Sequence, residues 1–234
     1  TGTGTFEYCT VQYGYAATSG TNPDNAGGGI QINANDVTVI NCLIENNYSN
    51  FGGGITVNAG RNTIIRKTIF RSNNVNEAGG GLLLWTGSTA LVENCIFENN
   101  YSKGTLSASY SGGAIWLLNN TSKIVNCTFV ENTSDRPGDG IYSYSSSNAR
   151  IINSILWGSS DQFAGSTTTS TIVTCAFEGV KPSNAASSII ISDVASDHFV
   201  DAASHDWTLK FISPCRDAGV NSYTGVTIPS TDYE

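Results

Sequence analysis

The sequence has few charged residues, two histidines, no methionine and no long apolar segment. Charged side chains make up 13% of the 234 residues, and the formal net charge is −8. Because the chain has no basic stripe to neutralise phosphates, the composition argues against nucleic-acid binding. No run of 18 apolar residues occurs, so we predict no transmembrane segment, and no signal peptide is recognised.

The six cysteines do not form the pattern of a metal site. There is no CxxC pair, and neither His198 nor His205 lies near the cysteines of the repeat described below. Structural metal sites need several Cys or His ligands at short, fixed spacing. We therefore predict no metal-binding residues.

What the chain does contain is a repeat that recurs every 21 to 33 residues. Its copies are VINCLIENN (39–47), IIRKTIFRSNN (64–74), LVENCIFENN (91–100), KIVNCTFVEN (123–132) and RIINSILWGS (150–159). A Gly-rich restart follows each of the first four copies, as in GGGITV (52–57), GGGLLL (79–84), GGAIWL (112–117) and GDGIYS (138–143). Repeats of this length indicate a solenoid, in which each unit buries its apolar face against its neighbours.

Two columns of the aligned repeats are apolar in every copy. They lie three residues before and two residues after a reference column of small residues. That column contains Cys9, Cys42, Thr68, Cys95, Cys127, Ser154 and Cys175. Apolar residues also alternate after each Gly run, which is typical of strands with one buried face. No segment has a sustained helical period.

We therefore predict an all-β right-handed parallel β-helix of about six to seven coils with an irregular C-terminal cap. Residues 1–179 form the coils, and 180–234 form a closing segment of the same domain in which Trp207 and Phe211 cover the open end of the core. In the coils the cysteines stack as free thiols, with disulfides between neighbouring coils as the alternative. Arg71 is predicted to pair with Glu45 and Glu98, and Arg66 with Glu93, across neighbouring coils.

Two columns of asparagine are expected at the bends of the coil. One contains Asn41, Asn94, Asn126 and Asn153, and the other contains Asn47, Asn73, Asn100 and Asn132. Asparagine tolerates the left-handed conformation of sharp bends, and its amide can bond the same amide one coil away.

The FxxN and GGxI elements resemble the repeats of the chlamydial polymorphic outer-membrane proteins. They are Phe70–Asn73, Phe97–Asn100 and Phe129–Asn132, with Gly runs ending at Ile55, Leu82 and Ile115. The segment HFVDAASHDWTLKFISPCRDAGVN (198–221) is similar to the end of the bacterial "choice-of-anchor Q" β-helix proteins, although their usual final strand is missing, which predicts a truncated closing segment. These resemblances imply a β-helix on a secreted, outer-membrane-associated or other cell-surface protein of bacteria, and no shared catalytic motif.

Outward positions of the strands after the Gly runs are the candidate ligand-binding surface. The predicted residues are Leu83, Trp85, Trp116, Leu118, Tyr142 and Tyr144. Exposed aromatic rings can stack on sugar faces or contact a protein partner. The alternative is that the loop 101–111 or the tail 180–234 folds over these residues.

The preferred function is a non-catalytic adhesin or scaffold that binds a host or environmental glycan or a surface protein. The alternatives are a carbohydrate-active enzyme, such as a polysaccharide lyase or a glycosidase, and a purely structural stalk. An enzyme needs paired acids, and the candidates are Glu131, Asp135 and Asp139 around Arg136, with Asp24 and Asp36. No pair recurs in adjacent coils, so no catalytic residue is assigned. No cofactor is predicted, although the insert SDRPGDG (134–140) is a candidate for Ca²⁺.

Overall fold

Four parallel sheets run along the molecule, two of them long. The computed structural model describes residues 3–16, 25–107, 109–159, 161–165, 169–185, 187–216 and 218–228, so Asp24 lies outside the described residues. Sheet A contains Gly4–Glu7, Val37–Ile40, Asn62–Arg66, Thr89–Glu93, Lys123–Val125, Arg150–Ile152 and Thr171–Val173. Sheet B contains Thr10–Gln12, Leu43–Glu45, Ile69–Arg71, Ile96–Glu98, Thr128–Val130, Ile155–Trp157, Ala176–Glu178 and Ile189–Ile191.

The two shorter sheets complete each coil. Sheet C contains Tyr48–Phe51, Asn74–Ala78, Tyr101–Ser102 and Thr133–Ser134. Sheet D contains Ile30–Ile32, Ile55–Val57, Leu82–Leu84, Ile115–Leu118, Ile141–Tyr144 and Phe163–Gly165. The chain passes through sheets A, B, C and D in turn, and each strand pairs in parallel with the same strand of the next coil.

This topology is a parallel β-helix, as predicted. Among the described residues, sheet A has seven strands, in agreement with the expected six to seven coils. The only helices described are two short 3-10 turns, Ala195–Asp197 and Ala202–Ser204. None of the described helices is long and apolar enough to cross a membrane.

Left-handed residues make the bends between sheets A and B. Asn41, Asn94, Asn126 and Asn153 all have φ between 51° and 53°. An L-residue in this conformation is costly unless it is Gly, Asn or Asp. The asparagine column therefore occupies the position where the coil turns most sharply, which confirms the prediction.

The second asparagine column forms a buried ladder between sheets B and C. The Nδ2 atoms of Asn47, Asn73 and Asn100 each donate to the Oδ1 of the asparagine one coil further along, at 2.9, 3.0 and 2.9 Å. The same nitrogen also donates to a carbonyl of the preceding coil, such as Phe70 O at 2.9 Å for Asn100. Each side chain thus joins three coils.

The core lies inside the coils and consists of stacked columns. Phe70, Phe97 and Phe129 are fully buried, and neighbouring rings are parallel at centroid distances of 4.6 and 4.9 Å. All six cysteines are free, which confirms the predicted thiol column. Burial raises the pKa of the Cys175 thiol to about 12, so this thiol is neutral in the native core.

The Gly runs allow the chain to approach the neighbouring coil closely where sheet C meets sheet D. Gly79 has a φ of +71°, and a Cβ on Gly80 would lie only 2.3 Å from the carbonyl oxygen of Gly113. A larger residue in place of Gly80 would therefore collide with the neighbouring coil.

The C-terminal segment, residues 192–228, folds back along the side of the coils, and we call it the strap. Its strands Phe199–Asp201 and Asp206–Leu209 form an antiparallel pair. Trp207 packs with Trp157 and Phe199 on the outer face of sheet B, and Phe211 is 83% exposed. The expectation that Trp207 and Phe211 cover the end of the core is therefore wrong, because the apolar outer face of sheet B attracts the strap instead.

Candidate functional site

The predicted ligand-binding residues lie on the outer side of sheet D. Leu82, Ile115 and Ile141 pair across the sheet and pack in the core. Alternation along the strand directs Leu83 and Trp116 to the opposite face, where they pack in a separate apolar cluster. The direction of these side chains therefore agrees with the prediction.

The exposure of Leu83 and Trp116 does not agree with the prediction. Leu83 and Trp116 are completely buried. The Trp116 indole nitrogen donates to Ser109 O at 2.9 Å, and the Tyr110 ring lies edge-on to Trp116 at 5.7 Å. The expectation that Leu83 and Trp116 form an open surface is therefore wrong. The alternative that the loop 101–111 folds over these residues is confirmed, because Ser109 and Tyr110 lie against Trp116.

A buried carboxylate holds this loop in place. Glu77 accepts hydrogen bonds from Leu106 N at 2.8 Å and from the Thr105 hydroxyl. Arg136 from the next coil donates from Nε to Gly104 O at 3.2 Å. The sequence offered no signal for this role of Glu77, because the partners belong to an insertion outside the repeat.

The rings on sheet D form a continuous group that we call the aromatic cluster. Its members are Phe51, Trp85, Tyr110, Trp116, Tyr142 and Tyr144. Centroid distances between neighbouring rings are 5.3 to 6.4 Å. Contacts of this kind stabilise the cluster beyond the burial of its apolar area.

Part of the aromatic cluster remains accessible to solvent. Tyr144 is 37% exposed, and its ring stacks on Trp116 with an interplanar angle of 18°. Trp85, Leu118 and Tyr142 are half-buried. We call Trp85, Leu118 and Tyr144, which end the sheet D segments of three successive coils, the rim row.

The rim row has the chemistry of a contact surface. Its side chains offer apolar area and one phenol hydroxyl, and none of them is a carboxylate or an imidazole. Burial raises the pKa of the neighbouring Tyr142 hydroxyl, which a hydrogen bond with Ser109 partly offsets. The rim row can therefore stack and hydrogen-bond, but it offers no pair of carboxylates for glycoside hydrolysis.

Of the acids proposed for an enzyme, Asp139 is engaged in the loops of the coil. Asp139 Oδ1 accepts from Ser134 N at 2.6 Å, and Oδ2 accepts from the Ser159 hydroxyl. Burial raises the pKa of the Asp139 carboxyl. No group of three or more metal-ligating Cys, His, Asp or Glu occurs within the described residues. The hydrogen bonds of Asp139 give this carboxylate a structural role.

The predicted ion pairs are present on sheets A and B. Arg71 Nε lies 2.8 Å from Glu98 Oε2, with Glu45 at 4.0 Å, and Arg66 lies 2.5 Å from Glu93. Glu98 is fully buried because the strap covers it, and its second oxygen bonds His205 Nδ1. Sequence reasoning missed His205, since 107 residues separate it from Glu98.

A comparison with protein families gives one match. Residues 1–177 match the family model described as "Right handed beta helix region". Neither the curated proteins nor the solved structures gave a match.

Proposed function

The chain belongs to the right-handed β-helix family, and we propose that it is a non-catalytic binding scaffold that contacts glycans through the rim row. The fold is consistent with surface scaffolds, with glycan-binding proteins and with enzymes. The observation that carries the proposal is the partly exposed row Trp85, Leu118 and Tyr144 above a buried ring layer.

Burial of the lower layer supports binding because it makes the rim row rigid. Tyr144 rests on Trp116, and Trp85 lies edge-on to Trp116 at 5.5 Å. Side chains that are already ordered lose less conformational entropy when a ligand binds. Successive coils place these residues about 4.8 Å apart along the axis, so an extended chain of sugars can contact several of them.

We further propose that the protein is a secreted or cell-surface adhesin of bacteria. The resemblance of its FxxN and GGxI elements to the chlamydial surface repeats and of its tail to the anchor proteins supports this location. The low content of charged residues and the absence of acids in the rim row support a role without covalent chemistry.

A glycan array tests the proposal. Wild type is compared with Trp85→Ala/Tyr144→Ala, and Tyr8→Ala/Tyr13→Ala is the control because it removes two exposed aromatic residues from the first coil. We expect the first variant to lose at least about 90% of the signal, since each stacked ring contributes about 1 kcal/mol, and the control to bind like wild type. Equal binding by all three proteins would contradict the rim row as the site, and cleavage of a bound glycan would contradict a non-catalytic role.

The second candidate function is a structural stalk. The observation in its favour is the complete burial of Leu83 and Trp116 beneath the loop 103–111. A wild-type protein that binds no glycan on the array and no protein on bacterial or host surfaces would favour the stalk.

A further inference from the structure

The strap encloses a cavity at the bend between sheets A and B. The cavity has a volume of about 680 Å³ and lies between residues 205–219 of the strap and the bends of the later coils. This volume is within the range of small-molecule sites, which is about 300–1,000 Å³. It is separate from the rim row, which lies on sheet D.

Anchors on both sides of the cavity hold the strap. On sheet B, Phe199 and Trp207 pack edge-on at 5.1 Å, next to Trp157. At the bend, Asn153 Nδ2 donates to Val220 O and Asn153 Oδ1 accepts from Val220 N, both at 2.9 Å. The strap therefore spans the bend between two fixed points, so the cavity is formed before any ligand arrives.

Beyond the second anchor the strap continues onto sheet A. Arg150 Nη1 donates to Thr224 O at 3.0 Å, and Val226 packs on Val125 and Ile152. This apolar contact prevents the strap from swinging away as a unit, because separation would expose all three side chains to water.

The wall on the coil side is uncharged and carries several polar side chains. These are Asn126, Thr128, Thr174 and Ser187, in addition to aliphatic side chains such as Ile155. Amides and hydroxyls both donate and accept hydrogen bonds. This wall suits a ligand that carries many hydroxyl groups.

Charges of both signs stand on the strap side. Asp206 and Arg216 line the cavity, and so does His205, which bonds the buried Glu98. Hydrogen bonds from Thr208 lower the pKa of the Asp206 carboxyl, so this group is ionised at neutral pH. Since the cavity is lined by one carboxylate and one guanidinium, these two groups give its wall no net charge, which favours a neutral ligand over an anion or a cation.

Trp207 lines the cavity on the strap side. The residue is 6% exposed, and Phe199 and Trp157 pack against its ring. An aromatic ring held in this way gives a sugar an apolar surface to pack against.

We propose that the strap cavity binds a neutral monosaccharide or a sugar residue of that class. Asp206 accepts from a pair of sugar hydroxyls, and the coil-side amides and hydroxyls bond the others. The Trp207 ring packs against the sugar. Binding at this cavity requires no part of the rim row.

The test uses the whole chain with D-glucose, D-galactose and D-mannose as probes. Saturation-transfer NMR detects binding, and titration calorimetry of the best probe gives the dissociation constant. We expect Asp206→Asn to weaken binding at least about tenfold, since a hydrogen bond to a charged group is lost. Thr128→Val keeps the shape of the side chain but removes a hydroxyl from the cavity wall, and we expect a loss of about fivefold.

Three controls make the outcome specific. Asp201→Asn changes another strap carboxylate, which among the described residues accepts only from Ser204, and this variant should bind like wild type. Trp85→Ala/Tyr144→Ala should also retain monosaccharide binding, so failure of the rim row and failure of the cavity remain distinguishable. D-galacturonate should bind more weakly than D-galactose because its carboxylate meets Asp206.

The proposal is overturned if the wild-type protein shows no saturation transfer to any of the three sugars. It is equally overturned if Asp206→Asn and Thr128→Val both bind like wild type, or if D-galacturonate binds more tightly than D-galactose.

Discussion

At the residue scale, the buried asparagines do what no apolar residue in their place can do. Asn100 Oδ1 accepts from both Asn73 N and Asn73 Nδ2 at 3.0 Å, and its own amide bonds Asn132 and a carbonyl oxygen. Buried backbone groups at the bend would otherwise have no partner. The ladder therefore supplies hydrogen-bond partners to the backbone at the bend, and it sets the register of neighbouring coils.

We predict that Asn100→Ala destabilises the protein by about 3 kcal/mol or more, because it leaves several buried polar groups without partners. Urea denaturation followed by circular dichroism measures the loss. Asn74→Ala is the matched control, since Asn74 is exposed on the adjacent strand and should change stability by less than about 0.5 kcal/mol. Equal losses for the two variants would show that the ladder contributes little.

At the element scale, the loop 103–111 determines how much of sheet D reaches solvent. Tyr110 contacts both Phe51, at 5.3 Å, and Trp116. Glu77 fixes the first half of the loop, and the bond from Trp116 to Ser109 fixes the second. The loop thus behaves as a part of the aromatic cluster.

We predict that Tyr110→Ala loosens the loop and exposes Trp116. The expected cost is about 1–3 kcal/mol, with a red shift of tryptophan emission and stronger quenching by acrylamide. Leu106→Ala is the control because Leu106 lies on the same loop but is 70% exposed. If both variants left emission and quenching unchanged, Tyr110 would not be what shields the indole.

At the scale of the whole molecule, the coils and the strap differ in how they are stabilised. Each coil contacts mainly its two neighbours, so stability accumulates along the axis. The strap instead covers the outer faces of sheets B and A, where Val130, Trp157 and Ile152 would otherwise be exposed. The strap therefore keeps water away from apolar residues on the outer faces of these two sheets.

We predict that Phe199→Ala detaches residues 199–209 of the strap while the anchor at Asn153 and the coils stay folded. Removal of this buried ring costs about 3–5 kcal/mol locally, and hydrogen exchange should rise in 199–209 but not in the strands of sheet A from 62 to 125. Val200→Ala is the control, since Val200 lies on the same strand and is half-exposed. Global unfolding of Phe199→Ala in one step would show instead that the coils depend on the strap.

The fold was predictable because its contacts repeat. Inward positions such as Phe70, Phe97 and Phe129 lie one coil apart, so every core contact appears in the aligned sequence as a column. The bend asparagines and the cross-coil pair of Arg71 with Glu98 follow from the same alignment. In a solenoid, residues one repeat apart in the sequence are neighbours in space, so contacts between coils follow from the sequence period.

The exposure of the candidate site was not predictable in the same way. The outward direction of Leu83 and Trp116 follows from alternation, but their burial depends on Ser109 and Tyr110, in an insertion that occurs once. The contact of His205 with Glu98 likewise joins the repeat to a segment outside it. An alignment of the repeats cannot show such contacts, because one of the two partners is not part of the repeat.

The sequence by itself determined the parallel β-helix, its columns and the direction of each side chain, because stacking of equal units follows from periodicity alone. The tertiary structure decided which outward side chains meet solvent, where the strap lies and that a cavity exists beneath it. These depend on segments that occur once and that fold onto whichever apolar surface the coils leave uncovered.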